Sequence, residues 1–346
     1  MTATVAQPTG PRVTDEGTLE PALEPDLPIC DPHHHFWTHR GRYLVEEYLR
    51  DLDCGHRVVS TVFVTAHAMV RGGGPVELLP VGETEFVEAL ASAARPAGSP
   101  DLARGIVAYA DLTLADAVRP VLEAHRAASP RRFCGIRHTV TWDPDPAIRN
   151  PAPYPRPGVL LEPAFRQGAT CLAAMDLVFD AFLFHHQLSD LVEFAHALPQ
   201  LTIVLDHIGT PLGTHGYATR RAAVLDEWKR DIERLARCPN VNVKLGGFGM
   251  QRFGLGWDKR DGPIRSGDVA AVIAPYVDFC VDRFGAQRCM FESNYPVDKE
   301  GLGYGVLWNA FKLVSARRSA DDRNALFHDT AMRVYRLQVR AGEPPA

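Results

Sequence analysis

From residue 29 onward, a short run of β-branched and apolar residues is followed by a stretch of helical periodicity, and the pair recurs along the whole chain. The runs lie at 29–35 (ICDPHHH), 58–65 (VVSTVFVT), 105–110 (GIVAYA) and 133–140 (FCGIRHTV). They continue at 177–185 (LVFDAFLFH), 202–207 (TIVLDH), 241–246 (VNVKLG) and 289–294 (CMFESN). Nearly continuous apolar runs suit parallel strands buried on both faces, with helices as the crossovers. Eight such units predict an α/β protein, a (β/α)8 TIM barrel over 29–340. A doubly wound open sheet ranks second, because no Gly-rich phosphate loop follows any run. With 346 residues and 46% hydrophobic content, the chain can bury a core of that size. Residues 1–28, Pro-rich and acidic, read as a flexible N-terminal arm.

Several function classes drop out. The net charge is −5 and no basic run follows a helix, so a nucleic-acid partner is not expected. The seven cysteines are scattered without a CxxC pair, which excludes a thiolate zinc site and suits a reducing, cytoplasmic compartment. No signal-peptide pattern opens the chain, and no apolar run reaches the ~18 residues of a membrane span. Oligomerisation stays open.

Three long connections, 66–82, 142–162 and 247–267, follow strands and carry large apolar residues such as Met69, Tyr154 and Trp257. Barrels build their sites on that side, so these loops are expected to cover a partly apolar pocket. Their Pro and Gly content also allows plain surface irregularity.

Side chains alternate along a strand, so His33 and His35 share a face while His34 points away. His185 and His207 end two later runs. Four imidazoles at the C-terminal ends of barrel strands suggest ligands for a divalent metal. The plainer reading makes each a satisfied core or capping histidine. His67, His138 and His186 also stand at strand ends, either as structural residues or as ligands of a second metal.

The ordered stretches Asp31-x-His33-x-His35, "GIRH" (135–138), "FDAFLFHHQL" (179–188), "IVLDHIGTP" (203–211), "VKLGG" (243–247) and "RCMFESNYPVD" (288–298) resemble the amidohydrolase superfamily. The likeness is to its lactonase-like branch, which includes sugar-lactone and pyrone-dicarboxylate lactonases. It implies a barrel with one or two divalent metals, or none, and hydrolysis as the default.

One position departs from that pattern. The superfamily ends strand eight with Ser-Asp-x-Pro, whose Asp binds metal and takes a proton from water; here Asn294 stands in its place. An amide is neither a general base near neutral pH nor a good metal ligand. Glu292, two residues earlier, either reaches the metal or pairs internally with Arg137 or Lys244. Arg137 suits a substrate carboxylate or phosphate, with a buried ion pair as its alternative; Lys244 carries the same ambiguity.

Two chemistries follow. The missing base favours Fe(2+), with two ions possible, activating O2 with an electron donor to hydroxylate a small hydrophobic acyl substrate. A barrel-fold non-haem diiron monooxygenase of platensimycin and platencin biosynthesis is similar in general character. The alternative is a metal-dependent hydrolase, with Zn(2+), acting on a lactone, ester or C–N bond. The expected ligands are His33, His35, His185, His207 and Glu292, with His138 and His186 in reserve; Asn294, Arg137 and Lys244 are the expected catalytic positions.

Overall fold

The structure, a computed structural model, describes residues 20–93, 98–260 and 262–337, without the side chain at 258. Most of the expected arm (1–19) and the chain beyond 337 lie outside the described residues. The strands are β1 (Ile29–His34), β2 (Val58–Val64), β3 (Asp101–Ala108), β4 (Phe133–Arg137), β5 (Val178–Ala181), β6 (Ile203–Leu205), β7 (Val241–Leu245) and β8 (Cys289–Phe291). They pair in parallel in chain order. The chain just past β8 meets β1: Asn294 N donates to His33 O (2.9 Å) and His35 N donates to Tyr295 O (2.8 Å). The sheet therefore curls into the expected (β/α)8 barrel.

The crossover helices are α1 (Val45–Leu52), α2 (Val81–Ser92), α3 (Arg119–Ala128), α4 (Pro163–Ala174), α5 (Leu188–Ala197), α6 (Arg221–Ala236) and α7 (Ser266–Phe284). After β8 come α8 (Tyr304–Ser315), α9 (Ala320–Asn324) and α10 (Thr330–Val334). In α7, Val269, Ile273, Val277, Cys280 and Phe284 recur at helical spacing and are buried on one face. Each such side chain contributes about 1.5–3 kcal/mol on leaving water. Gly285, at φ 80°, ends the helix in a conformation that favours glycine. No helix among the described residues is long and apolar enough to cross a membrane.

Residues 20–28 lie across the helices. Glu20 accepts from Ser266 N (3.1 Å) at the start of α7, and Lys312 of α8 donates to the carbonyls of Leu23 (2.6 Å) and Glu24 (2.8 Å). Of the long connections, 247–267 turns its large residues inward: Met250, Phe253 and Trp257 join the main core, and Trp257 Nε1 donates to Phe248 O (2.7 Å). Their burial is structural, whereas Met69 and Tyr154 of the other two loops are exposed.

The barrel interior is layered. Its lower layer is apolar, formed by Val62, Val64, Val107, Val178, Val204 and Met290. Tyr335 and Leu337, just after α10, pack into this layer.

Candidate active site

Two residues further along β5, β6 and β8, the inward positions change character: Val178, Val204 and Met290 are followed by Asp180, Asp206 and Glu292. Lys244 of β7, His33 of β1 and Arg137 of β4 complete this second layer. All are fully buried except Arg137, which is 6% exposed. The pairing register slips between Asp31 and His34. Asp31 accordingly faces the helices, accepting from Tyr48 Oη (2.8 Å) and Tyr304 Oη (3.0 Å). His34 also points outward, stacked on Tyr48 with its Nε2 2.9 Å from Thr61 Oγ1.

Glu292 organises the layer. Its Oε1 accepts from His207 Nδ1 (2.7 Å) and His207 N (3.1 Å), and its Oε2 lies 2.7 Å from His33 Nδ1. Burial alone would push this carboxyl up, but the two imidazoles outweigh it and hold it at about 2. His33 Nε2 lies 3.1 Å from Arg137 Nη1. A guanidinium and an ammonium only donate, and Lys244 Nζ lies 3.2 Å from His33 Nδ1, so cationic donors face both ring nitrogens while Glu292 stands beside Nδ1. Burial, reinforced by Lys244, keeps this imidazole neutral, well below its usual range.

Lys244 Nζ donates to Asp180 Oδ2 (2.7 Å) and lies 3.1 Å from Asp206 Oδ1. Burial would depress the ammonium, but the two carboxylates hold it above the usual lysine range. They share that cation unequally. Burial pushes Asp180 up to about 6, although Tyr335 Oη donates to it at 2.9 Å. At Asp206 burial also raises the carboxyl, yet Lys244, His207 and Arg137 together bring it below its ordinary value.

Local backbone makes this packing possible. A Cβ at Gly246 would overlap Glu292 Cγ, and one at Gly247 would come within 2.8 Å of His207 Cβ. His207, Ile208, Gly209 and Thr210 all have positive φ (54°, 50°, 74° and 44°). This is a strained turn for β-branched residues, and Trp228 Nε1 braces it by donating to Ile208 O (2.7 Å).

The other expected residues are distributed differently. His35, 3% exposed, directs Nδ1 at Val64 O (2.7 Å), so that atom carries the proton; Nε2 has no partner among the described residues. Its ring lies 5.0 Å from that of His33. His185 lies beyond the end of β5, in a 3-10 turn leading into α5, where its Nδ1 accepts from Leu212 N (3.4 Å). Burial, then His186, lowers it to about 3. His186 Nε2 lies 3.0 Å from Asp143 Oδ2. His138 Nδ1 accepts from Leu112 N (3.2 Å), and the His67 ring packs on Tyr109 (4.6 Å). Asn294, at φ 54°, donates from Nδ2 to Asp298 Oδ1 (2.7 Å).

Asp206 and Asp180 were not among the expected site residues. Their signal was available: each is a charged residue in an otherwise apolar strand run, and Asp206 directly precedes His207.

His33, Asp206 and His207 form a group whose ligand atoms lie within 4.8 Å of one another. Both Asp206 oxygens are buried without a hydrogen bond, although Lys244 and Arg137 (3.8 Å) stand near them as ion-pair partners. His207 Nε2 has no partner among the described residues. Asp180, Asp206 and Glu292 meet Lys244, Arg137 and the imidazoles of His33 and His207 in this dry layer, where burying so many polar and charged groups is expensive unless each is paired. Imidazole and carboxylate donors gathered in this way fit one divalent cation.

Comparison with known proteins agrees with this geometry. The amidohydrolase family matches residues 30–337. Protein y4mH of Sinorhizobium fredii is 30% identical over 90% of this chain and 99% of its own length. An L-fucono-1,5-lactonase of Burkholderia multivorans is 28% identical over 89% of this chain and 95% of its own. Two crystal structures of an amidohydrolase from Burkholderia multivorans, one with bound HEPES and one with bound zinc, superpose with TM-scores of 0.68 and 0.67. Each is 26% identical and covers 90% of this chain and 99% of that one.

These relatives correct the expectation of an iron monooxygenase and of an oxidoreductase, since those named for an activity are lactonases and amidohydrolases. The likeness to the platensimycin enzyme finds no support among them. The structure supplies a physical reason: the histidines reserved for a second iron, His138 and His186, are turned to Leu112 and Asp143, so one ligand cluster is assembled among the described residues. From the match across its barrel, this chain belongs to the amidohydrolase family.

Proposed function

We propose that the protein is a zinc-type hydrolase that opens a lactone or a related carboxylic ester. One observation carries the reading: the Glu292 carboxylate lies 2.7 Å from the Nδ1 of both His33 and His207. At His207 a carboxylate behind the imidazole fixes its tautomer and leaves the Nε2 lone pair free, as in metal-binding histidines, whereas Arg137 faces the Nε2 of His33. The zinc in a relative of 26% identity and the lactonases of 28% identity support the same reading.

A divalent cation held by His33, Asp206 and His207 would supply Lewis acidity at the scissile carbonyl. The rest falls to the chain. Lys244 keeps Asp206 ionised by standing 3.1 Å from it. Arg137, whose Nε has no hydrogen-bond partner, offers a donor to the carbonyl oxygen as it gains charge. His35 is neutral through burial, and its Nε2 accepts the proton of the attacking water. Asn294 takes no part, because its amide is engaged with Asp298. The ring's acyl C–O bond then breaks, His35 returns the proton to the departing alkoxide oxygen, and the product is a hydroxy acid.

The test is anaerobic lactone opening by the purified protein, including L-fucono-1,5-lactone in the panel. Activity without O2, removed by a chelator and restored by Zn(2+), is the expected result. Failure to open any lactone or ester after zinc loading would overturn the reading.

A further inference from the structure

The segment after α10 closes the barrel from the end opposite its mouth. Arg333 of α10 donates to Gln287 O, just before β8, and Arg336 donates to Asp176 O, just before β5. Arg336 takes φ 51°, and Leu337 N turns back to donate to Met332 O (2.9 Å). A glycine of β3 makes room for this turn, since a Cβ at Gly105 would come within 2.9 Å of Leu337 Cδ2. Held in this way, Tyr335 is 1% exposed and belongs to the apolar lower layer.

A phenylalanine would fill that space as well, and a buried phenol costs stability unless its hydroxyl finds a partner. Tyr335 Oη finds one by reaching out of the apolar layer to both oxygens of Asp180, at 3.1 Å (Oδ1) and 2.9 Å (Oδ2). Its ring centroid lies 5.4 Å from Lys244 Nζ, within the range of cation–π attraction. One side chain thus meets both members of the Lys244–Asp180 pair from below.

The place of that ammonium matters to the cluster above it. Lys244 Nζ lies 2.7 Å from Asp180 Oδ2, 3.1 Å from Asp206 Oδ1 and 3.2 Å from His33 Nδ1. Asp206 and His33 are two of the three groups that gather as metal ligands. A lysine ammonium is a compact point charge on a flexible four-carbon stem. Shifted from Asp180 toward Asp206, it would take up the carboxylate that a divalent cation needs and repel that cation.

We propose that Tyr335 is a positioning residue for the metal centre: it holds Asp180 and Lys244 together from beneath and so leaves the Asp206 carboxylate open to the cation. This rests on the metal-dependent hydrolytic reading above and adds to it a residue from the far end of the barrel. The phenol touches neither cation nor substrate, and it acts through the ammonium alone.

The test titrates the full-length, metal-stripped protein with Zn(2+) against a chromophoric chelator. Tyr335→Phe keeps the ring and removes the hydroxyl, and it is expected to weaken zinc binding about tenfold. With zinc saturating, KM for the lactone is expected to stay within about twofold of the parent. Leu337→Val, in the same apolar layer, is expected to lower the unfolding midpoint and leave zinc affinity within about twofold. In metal-free protein carrying isotope-labelled lysine, the Lys244 ammonium resonance is expected to move in Tyr335→Phe and to stay in place in Leu337→Val. If Tyr335→Phe fails to fold, Asp180→Asn, which loosens the hold on the same ammonium, is expected to weaken zinc binding as much. Unchanged zinc affinity in the folded variant, an equal loss in Leu337→Val, or an unmoved Lys244 resonance would overturn the positioning role. The two readings fail separately. Tyr335-dependent zinc binding without any lactone opening would sink hydrolysis and keep the positioning role. Zinc-restored lactone opening in which Tyr335→Phe binds zinc as tightly as the parent would sink the positioning role and keep hydrolysis.

Discussion

The two inner layers of this barrel are built on the same strands, two residues apart, and differ in almost every physical respect. Below, Val178, Val204 and Met290 pack as an apolar plug. Above, Asp180, Asp206 and Glu292 meet Lys244, Arg137 and His33 in an equally dry space. The lower layer gains from leaving water, whereas the upper one requires every charge to be answered. The contrast teaches that one strand can supply both packing and chemistry, because stepping along it by the side-chain period keeps the same face while depth changes.

The sharpest way to break the contrast is to change Glu292 and Met290 side by side. Glu292→Gln removes the charge facing two imidazoles, and lactone-opening kcat/KM is expected to fall by 10²-fold or more. Met290→Leu, one step lower, should keep activity within about threefold and cost less than ~1.5 kcal/mol in denaturant unfolding. Equal losses in the two variants would erase the distinction between layers.

A second, smaller effect is the response to acid. The buried neutral histidines His34 and His185 each sit at about 3, so their contribution is complete above the ordinary imidazole value of 6.5 and is lost as pH falls toward 3. Below 6.5 the unfolded chain binds more protons, at up to about 1.4 kcal/mol per pH unit for each such group. Glu292, held at about 2, adds stability that is complete above 4.5 and lost as pH falls through 2. Urea midpoints should therefore drop between pH 7 and pH 4, and His185→Gln should flatten that slope. A slope unchanged in the variant would show that His185 is not buried neutral.

The smallest expected effect concerns Asn294→Asp. In the family's usual arrangement this would restore a base. Here the new carboxyl would face Asp298, whose own carboxyl burial holds well above its normal range. The pair would share a proton, and hydrolysis should rise less than about threefold. A large gain would mean that the side chain swings from Asp298 toward the histidines.

How much of this was legible in the sequence follows from which signals are local. Strand order and the separation of His33 from His34 follow from backbone periodicity, so they could be read directly. The place of His185 could not: the run "LVFDAFLFH" looks continuous, yet the strand ends at Ala181 and a 3-10 turn begins at His185. Gln187 enforces that change, its side-chain oxygen accepting from Trp142 N (3.0 Å) and Phe184 N (3.2 Å), contacts invisible to periodicity. Asp180 and Asp206 were visible as charges inside apolar runs, but their meaning depends on Lys244 across the barrel. The chemistry inferred from Asn294 alone went astray because the amide's partner, Asp298, had not been weighed.

Tyr335 lends the fold an order in time. It lies just after α10, more than 300 residues past β1's start, yet from the lower layer its hydroxyl reaches Asp180 in the reactive layer above. A ribosome releases the N-terminal part of a chain first. His33 therefore emerges long before the phenol that completes the hydrogen bonding of the carboxylate next to Lys244. Until the residues after α10 dock, the histidines and carboxylates stand over an open base, so the centre is completed by a segment made long after its first histidine.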